Sequence, residues 1–344
     1  MNALDLAERG LLPDIMIRFG IRRLCRHRLA SLRNDGTDSA SAIQDRLLRE
    51  LHSSPVAIDV DAANAQHYEL PPPFFQRCLG PQLKYSACLF ERPGSTLAEA
   101  EEAMLALYAE RAELSDGQRI LELGCGWGSL TLWLAARFPN SRVTGVSNSA
   151  NQRAFILARA RERGLSNIDI VTCDVNHLEL PAAAFDRVIS IEMFEHLRNY
   201  ATMLRRIAAW LVPGGALFVH IFCHREWAYP FQTHGSDNWM GRHFFTGGLM
   251  PAFSTLMAFQ DDLRLAQAWR LGGHHYQRTA EAWLANHDRE QASVTPIMRA
   301  CYGLDEAALW NQRWRMFWMA CAETFGYRNG EEWMVGHYLF RKPG

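Results

Sequence analysis

The chain is short of the features that would place it in several large protein classes. It has no Cys-x-x-Cys pair among its eight cysteines, which speaks against a zinc knuckle, a redox dithiol or a disulfide framework. It has no surplus of either charge, with a formal net charge of −1 over 344 residues, so no global field favours nucleic acid. No apolar run approaches the roughly 18 residues of a membrane span, no secretory leader is visible, and there is neither an internal repeat nor a low-complexity tract. Scattered cysteines without a leader suit a reducing cytoplasm. What is present is a globular balance of 48% hydrophobic and 21% charged residues, enough to build a sizeable core.

The most telling segment is ILELGCGWGSL, from Ile120 to Leu130. A short apolar strand ends in the acid Glu122, followed by Gly124, Gly126 and Gly128, and Ser129 to Phe138 reads as a helix. Glycines let the backbone turn sharply and approach a ligand where a Cβ would collide. Strand, glycine turn and helix together form a ligand cradle at the carboxyl edge of an open α/β sheet.

Further strands are expected at Arg142 to Val146, Ile168 to Thr172, Phe185 to Ile191 and Ala216 to Phe222, with helices between them. The Pro213-Gly214-Gly215 turn reads as the link into Ala216, and Leu263 to Trp269 and Trp333 to Phe340 complete a doubly wound, seven-stranded, mostly parallel sheet. Residues 1–66 read as an appended helical segment, with Asn34 to Ala40 as a loop between helices, and residues 67–344 as the main domain. Aromatic-rich residues of about 224–260 and 272–325 read as a cap carrying Trp239, Phe244, Phe245, Trp310, Trp314 and Trp318. Ile15 to Arg33 mixes apolar residues with six arginines and contains no acid. It suits contact with anionic lipid; the preferred reading packs its apolar side on the main domain or on a second subunit, as in a homodimer.

The cofactor is narrowed by the next ligand-facing turns. A dinucleotide fold needs an acid about 20 residues beyond the first glycine, yet the second strand ends in Val146-Ser147-Asn148-Ser149. Glu122 and Asp174 instead put carboxylates at two strand ends, suited to the ammonium and adenine amine of S-adenosylmethionine. His220, His224, His274 and His275 match no metal spacing, so no metal is expected.

Long strings carry a family resemblance: HYELPPPFF at His67, LKYSACLF at Leu83, ELGCGWGSL, VTGVSNSANQ, IEMFEH at Ile191, FVHIFCH at Phe218, FFTGGLMP at Phe244 and GYRNGEEWMV at Gly326. On these the chain resembles the S-adenosylmethionine-dependent coclaurine N-methyltransferase family, itself similar to the cyclopropane fatty acid synthases. The resemblance implies a class I methyltransferase, a Rossmann-like fold with an N-terminal helical segment and a cap insertion. It implies that Tyr85, Ser86, Gly124, Gly126, Asn148, Gln152, Asp174, Val175 and Ile191 line the cofactor, with Asn148 and Gln152 in place of the missing acid.

IEMFEH follows the fourth strand, where three titratable side chains occupy neighbouring positions able to orient a nucleophile and take its proton. The resemblance assigns Glu195 and His196 to positioning and deprotonating an amine, with Glu192 nearby and Trp314 at the amine pocket. The synthase branch implies a rival chemistry, transfer to an unsaturated phospholipid acyl chain with a bound bicarbonate as base. Glu195, His220 and Tyr276 fall at its bicarbonate-holding positions, but its cysteine position is Ala87, and Cys321 matches a cysteine marked as active in that branch. The expected reaction is methylation of a small, aromatic or hydrophobic amine. Lipid modification is the alternative, and a cofactor-binding protein without turnover is a third reading.

Overall fold

A computed structural model describes residues 2–34, 36–58 and 70–344. The expected boundary at residues 66 and 67 and the start of the HYELPPPFF string lie outside the described residues. Strands β1 (Arg119–Leu123), β2 (Arg142–Ser147), β3 (Ile168–Thr172), β4 (Phe185–Ile191) and β5 (Leu211–His224) run parallel. A two-stranded ribbon of β6 (Tyr229–Pro230) and β7 (Leu249–Met250) follows, and then β8 (Arg264–Leu271) and β9 (Trp333–Arg341), both antiparallel to their neighbours in the main sheet.

The seven-stranded order is β3-β2-β1-β4-β5-β9-β8. The sequence order reverses beside β1, and at such a point the carboxyl ends of β1 and β4 open a crevice for a ligand. β1 and β9 are buried along nearly their whole length, as strands covered on both faces are.

Two expectations are corrected. Pro213, Gly214 and Gly215 do not precede a strand: β5 already begins at Leu211, opposite Phe185, while Ala216 pairs with Arg187. The turn is therefore an irregularity within the strand, with Gly214 at φ 74°. The expected loop at Asn34 to Ala40 is mostly helical, since α1 (Ala3–Glu8) and α2 (Asp14–Asn34) are followed by α3 from Gly36 to Ser53. Turn-favouring residue types are a weak prior that surrounding structure overrides.

Helices α4 (Pro72–Cys78) and α5 (Leu97–Arg111) precede the sheet, α6 (Ser129–Arg137), α7 (Ala150–Glu162) and α8 (Tyr200–Trp210) alternate with its strands, and α9 (Trp239–His243) lies in the cap. Two long cap helices, α10 (His274–Arg289) and α11 (Gln291–Phe325), cover the site, the second broken at Gly303 with φ 74°. Helix α2 sits on both: Arg18 forks onto Glu281 at 2.6 and 2.7 Å and reaches Glu323 at 2.9 Å, and Arg315 joins Asp14 and Asp288. Its Ile17, Cys25 and Leu29 are buried, so the apolar side of the basic segment packs on the main domain.

Candidate active site

Three adjoining cavities open at the carboxyl edge of the sheet. The first, of about 110 Å3, lies where β1 turns into α6. Gly124, Gly126 and Gly128 all take positive φ, at 77°, 51° and 79°. A Cβ on Gly124 would meet Met193 at 3.0 Å, and one on Gly128 would meet Ile156 at 2.7 Å, whereas Gly126 faces open space.

Asn148, Gln152, Asp174 and Val175 gather on the far wall. The Gln152 carbonyl accepts from Ser147 Oγ at 2.6 Å, and its buried Nε2 has no partner among the described residues. An unpaired buried donor is costly, and a hydroxyl of a bound ribose would satisfy it. Glu122 is buried against the Thr131 hydroxyl, and desolvation pushes its carboxyl up to about 8, poised for a cationic partner. These residues fit S-adenosylmethionine.

The second cavity, of about 100 Å3, shares Gly124, Gly126 and His196 with the first and adds Tyr85, Ser86, Glu122, Ile191, Glu192, Glu195 and Tyr276. It collects the cofactor-lining residues expected from LKYSACLF and the whole IEMFEH triad. The triad is delivered by a distorted strand exit. Glu192 adopts φ 46°, a left-handed conformation that costs a non-glycine residue about 1–2 kcal/mol. A single 3-10 turn, Phe194–His196, follows.

The Glu192 carboxylate accepts from Ala87 N at 3.0 Å, from His220 Nε2 at 3.0 Å and from the Tyr276 hydroxyl at 2.8 Å. Lys84, fully buried, donates to Ser86 Oγ and to the Ala87 carbonyl, both at 2.6 Å, and its charge favours an ionised Glu192 against the upward push of burial. Glu195 is buried, and its Oε2 has no partner among the described residues. Burial and the charge of Glu192 drive its carboxyl well up. Burial pulls His196 down to about 4, leaving a neutral imidazole stacked 5.8 Å from the Phe245 ring.

The third cavity, about 340 Å3, meets the second at Phe222, Phe245 and Tyr276 and is walled by aromatic residues including Tyr229, Phe231 and Trp239. Helix α2 closes it with Ile21, Cys25 and Arg28, a contribution that the sequence reading of an appended segment misses. Cys321 lines this cavity, buried, with its thiol pushed up by desolvation and by the Glu192 charge.

Two residues expected at the substrate sit one layer back. His220 is wholly buried behind Glu192. Trp314 is 1% exposed, packed among Phe74, Phe244 and Phe317, and the aromatic residues that helix presents to the cavities are Phe317 and Phe325. Lys84, Tyr108, Arg111 and His337 also belong to the site, and no spacing in the sequence marks the last three; Lys84 stands inside LKYSACLF, where a cation in a largely apolar string is the local signal.

The positions matching the synthases' bicarbonate pocket are also answered by this geometry. His220, Tyr276 and the backbone N–H of residue 87 are brought together, but all three are engaged by the Glu192 carboxylate, so the chain's own acid occupies the clasp.

The profile of the mycolic acid cyclopropane synthetases matches residues 58–333. An (S)-coclaurine N-methyltransferase of Thalictrum flavum subsp. glaucum is 39% identical over 99% of this chain and 96% of its own length. A cyclopropane-fatty-acyl-phospholipid synthase of Escherichia coli (strain K12) is 29% identical over 78% of this chain and 66% of its own length. A coclaurine N-methyltransferase crystal structure bound to N-methylheliamine and SAH superposes with a TM-score of 0.94 at 38% identity, covering 98% of both chains. The glycine cradle, the acids at the strand ends and these similarities agree, and the chain belongs to the mycolic acid cyclopropane synthetase family of S-adenosylmethionine-dependent methyltransferases, on the side of the coclaurine N-methyltransferases.

Proposed function

We propose that this protein transfers the methyl group of S-adenosylmethionine to the nitrogen of a small, aromatic or hydrophobic amine. The observation that carries the reading is the Glu192 clasp: the groups a bicarbonate-dependent lipid reaction would need already hold a side-chain carboxylate. The aromatic third cavity supports it, since its walls suit the body of an arylalkyl amine through stacking and cation–π contact.

When bound, S-adenosylmethionine supplies an electrophilic methyl. The protein's part is to present a free lone pair to it. Neutral His196 accepts the amine proton, leaving a neutral amine with its lone pair free, and Glu195 and Glu192 aim that amine and stabilise the ammonium present before the proton leaves and again after the methyl group is taken up. Tyr276 and Phe245, shared by the second and third cavities, fix the angle of approach, and alignment of this kind is worth several kcal/mol without covalent participation. Trp314 acts by holding Phe317, and Cys321 serves as wall.

The test is an acceptor screen that reads S-adenosylhomocysteine from arylalkyl amines, benzylisoquinolines and unsaturated phospholipid vesicles in parallel. Turnover of amines supports the reading; cyclopropane or methyl-branched acyl products without amine turnover overturn it.

A peripheral lipid contact is part of the proposal, with the protein placed in the cytoplasm. No helix among the described residues is long and apolar enough to cross a membrane. Helix α2 and the turn before it nevertheless expose Leu11, Ile15 (73%), Met16 and Phe19 (65%) beside Arg22, Arg23 and Arg26, the pattern of an anionic-membrane face. Flotation with phosphatidylglycerol vesicles, lost in Ile15→Ser/Phe19→Ser, supports it. A homodimer in sedimentation that the same double variant dissociates, with no flotation, assigns the face to a second copy instead.

A further inference from the structure

Behind Glu192 a chain of hydrogen bonds runs through the sheet to the far end of α5. Arg111 Nη1 lies 2.8 Å from His337 Nδ1, His337 Nε2 lies 2.9 Å from His220 Nδ1, and His220 Nε2 lies 3.0 Å from Glu192 Oε1. His220 and His337 stand directly opposite each other in the β5–β9 register, and both are wholly buried. Tyr108 places its hydroxyl 2.9 Å from the same Nδ1 of His220.

The direction of this chain is set at one end. A guanidinium has only donors and keeps its proton at any ordinary pH, so His337 Nδ1 must accept. A neutral imidazole carries one proton, which for His337 then sits on Nε2 and is donated to His220 Nδ1. By the same reasoning His220 carries its proton on Nε2 and donates it to Glu192. Burial, with Lys84 and Arg111 close by, holds both imidazoles neutral.

We propose that Arg111 is a remote positioning residue: through His337 and His220 it fixes both tautomers so that the chain ends in a donor on Glu192, keeping that acid an accepting carboxylate at the reaction centre. This rests on the role given above to Glu192. The Arg111 guanidinium carbon lies over the Trp269 ring, 4.8 Å from its centroid, a cation–π contact that helps to hold the side chain beside His337. The groups facing Glu192 are Lys84, Cys88, Tyr108, Glu195, His196, His220, Tyr276 and Cys321 with the backbone of Ala87; those facing the histidine pair are Tyr108, Lys84 and Arg111. Glu110 is the acid that acts on Arg111. The Glu192 carboxylate, which only accepts, agrees with this direction from the other end, so Arg111 reinforces it from the His337 side, while the Tyr108 hydroxyl can donate or accept.

The test joins a spectroscopic readout to a kinetic one. With 15N-labelled histidine, His220 and His337 are expected as Nε2–H tautomers in the wild-type protein. In Arg111→Met, His337 is expected to show mixed tautomers, and the acid limb of the pH profile of kcat/KM to move up by about one unit, with S-adenosylhomocysteine affinity unchanged. Arg111→Lys, which still donates, is expected to restore both. His337→Gln keeps the direction, its carbonyl accepting from Arg111 and its amide donating to His220, and is expected to retain the wild-type profile, whereas His337→Phe loses it. Unchanged tautomers and an unchanged acid limb in Arg111→Met overturn the proposal. Full activity in Glu192→Gln overturns the catalytic reading of Glu192, while the tautomer readout judges the relay independently of it.

Discussion

The Tyr276 hydroxyl donates a 2.8 Å hydrogen bond to the Glu192 carboxylate, tying a cap helix to the exit of a central strand. Through that bond a helix over the acceptor cavity is joined to the acid beneath it, and the consequences can be measured.

Glu195 should be needed for chemistry and not for the cofactor. Its Oε2 is buried with no partner among the described residues, and Glu195 lines the second cavity but not the first. Glu195→Gln is expected to lower kcat by about 10²–10⁴ with S-adenosylhomocysteine affinity unchanged in calorimetry. Wild-type turnover in this variant removes Glu195 from the mechanism.

Gly124→Ala should lose cofactor binding. The new Cβ would stand 3.0 Å from Met193 in a backbone held at φ 77°, and the left-handed conformation alone costs about 1–2 kcal/mol. Affinity is expected to fall about tenfold or more with the melting temperature lowered; equal affinity argues that Met193 yields freely.

Glu122 carries a pH signature. Its folded value, about 8, lies above the ordinary 4.5, so the stability of the protonated acid is complete below about 4.5 and is lost as pH rises through 8. Glu122→Gln stays neutral throughout. Its urea midpoint is expected to gain on the wild type as pH goes from 6 to 9, while S-adenosylmethionine binding weakens at both. A constant difference in midpoints assigns Glu122 an ordinary titration.

Cys321→Ala and Trp314→Ala separate wall from framework. The buried thiol of Cys321 is pushed away from the reactive thiolate form, so its removal should leave turnover unchanged. Trp314→Ala removes a core side chain and is expected to cost about 3–5 kcal/mol in denaturant unfolding. A large loss of kcat in Cys321→Ala gives that thiol a chemical role.

Much of this site is local in sequence and therefore legible there. The apolar run before Gly124, the glycine spacing and the acids of IEMFEH each act within a few residues, so the cradle and the triad follow from the string itself. The Glu192 clasp and the histidine pair do not. They arise from a β5–β9 register joining His220 to His337 and from a helix that brings Tyr276 over the edge, and no periodicity encodes either. The turn at Pro213 to Gly215 misleads for a related reason: Leu211 is drawn into the sheet by its pairing with Phe185, whatever the turn residues favour. The aromatic cap lacks a period, so which rings face a cavity and which only support it is decided by packing.

The position of β9 sets the histidine pair apart from the glycine cradle along the chain. Inserted between β5 and β8, it supplies the partner that orients His220, yet it follows every other strand of the sheet in the chain. A break in the chain ahead of β9 would remove His337, a hydrogen-bond partner of His220, while leaving every residue of the glycine cradle in the polypeptide.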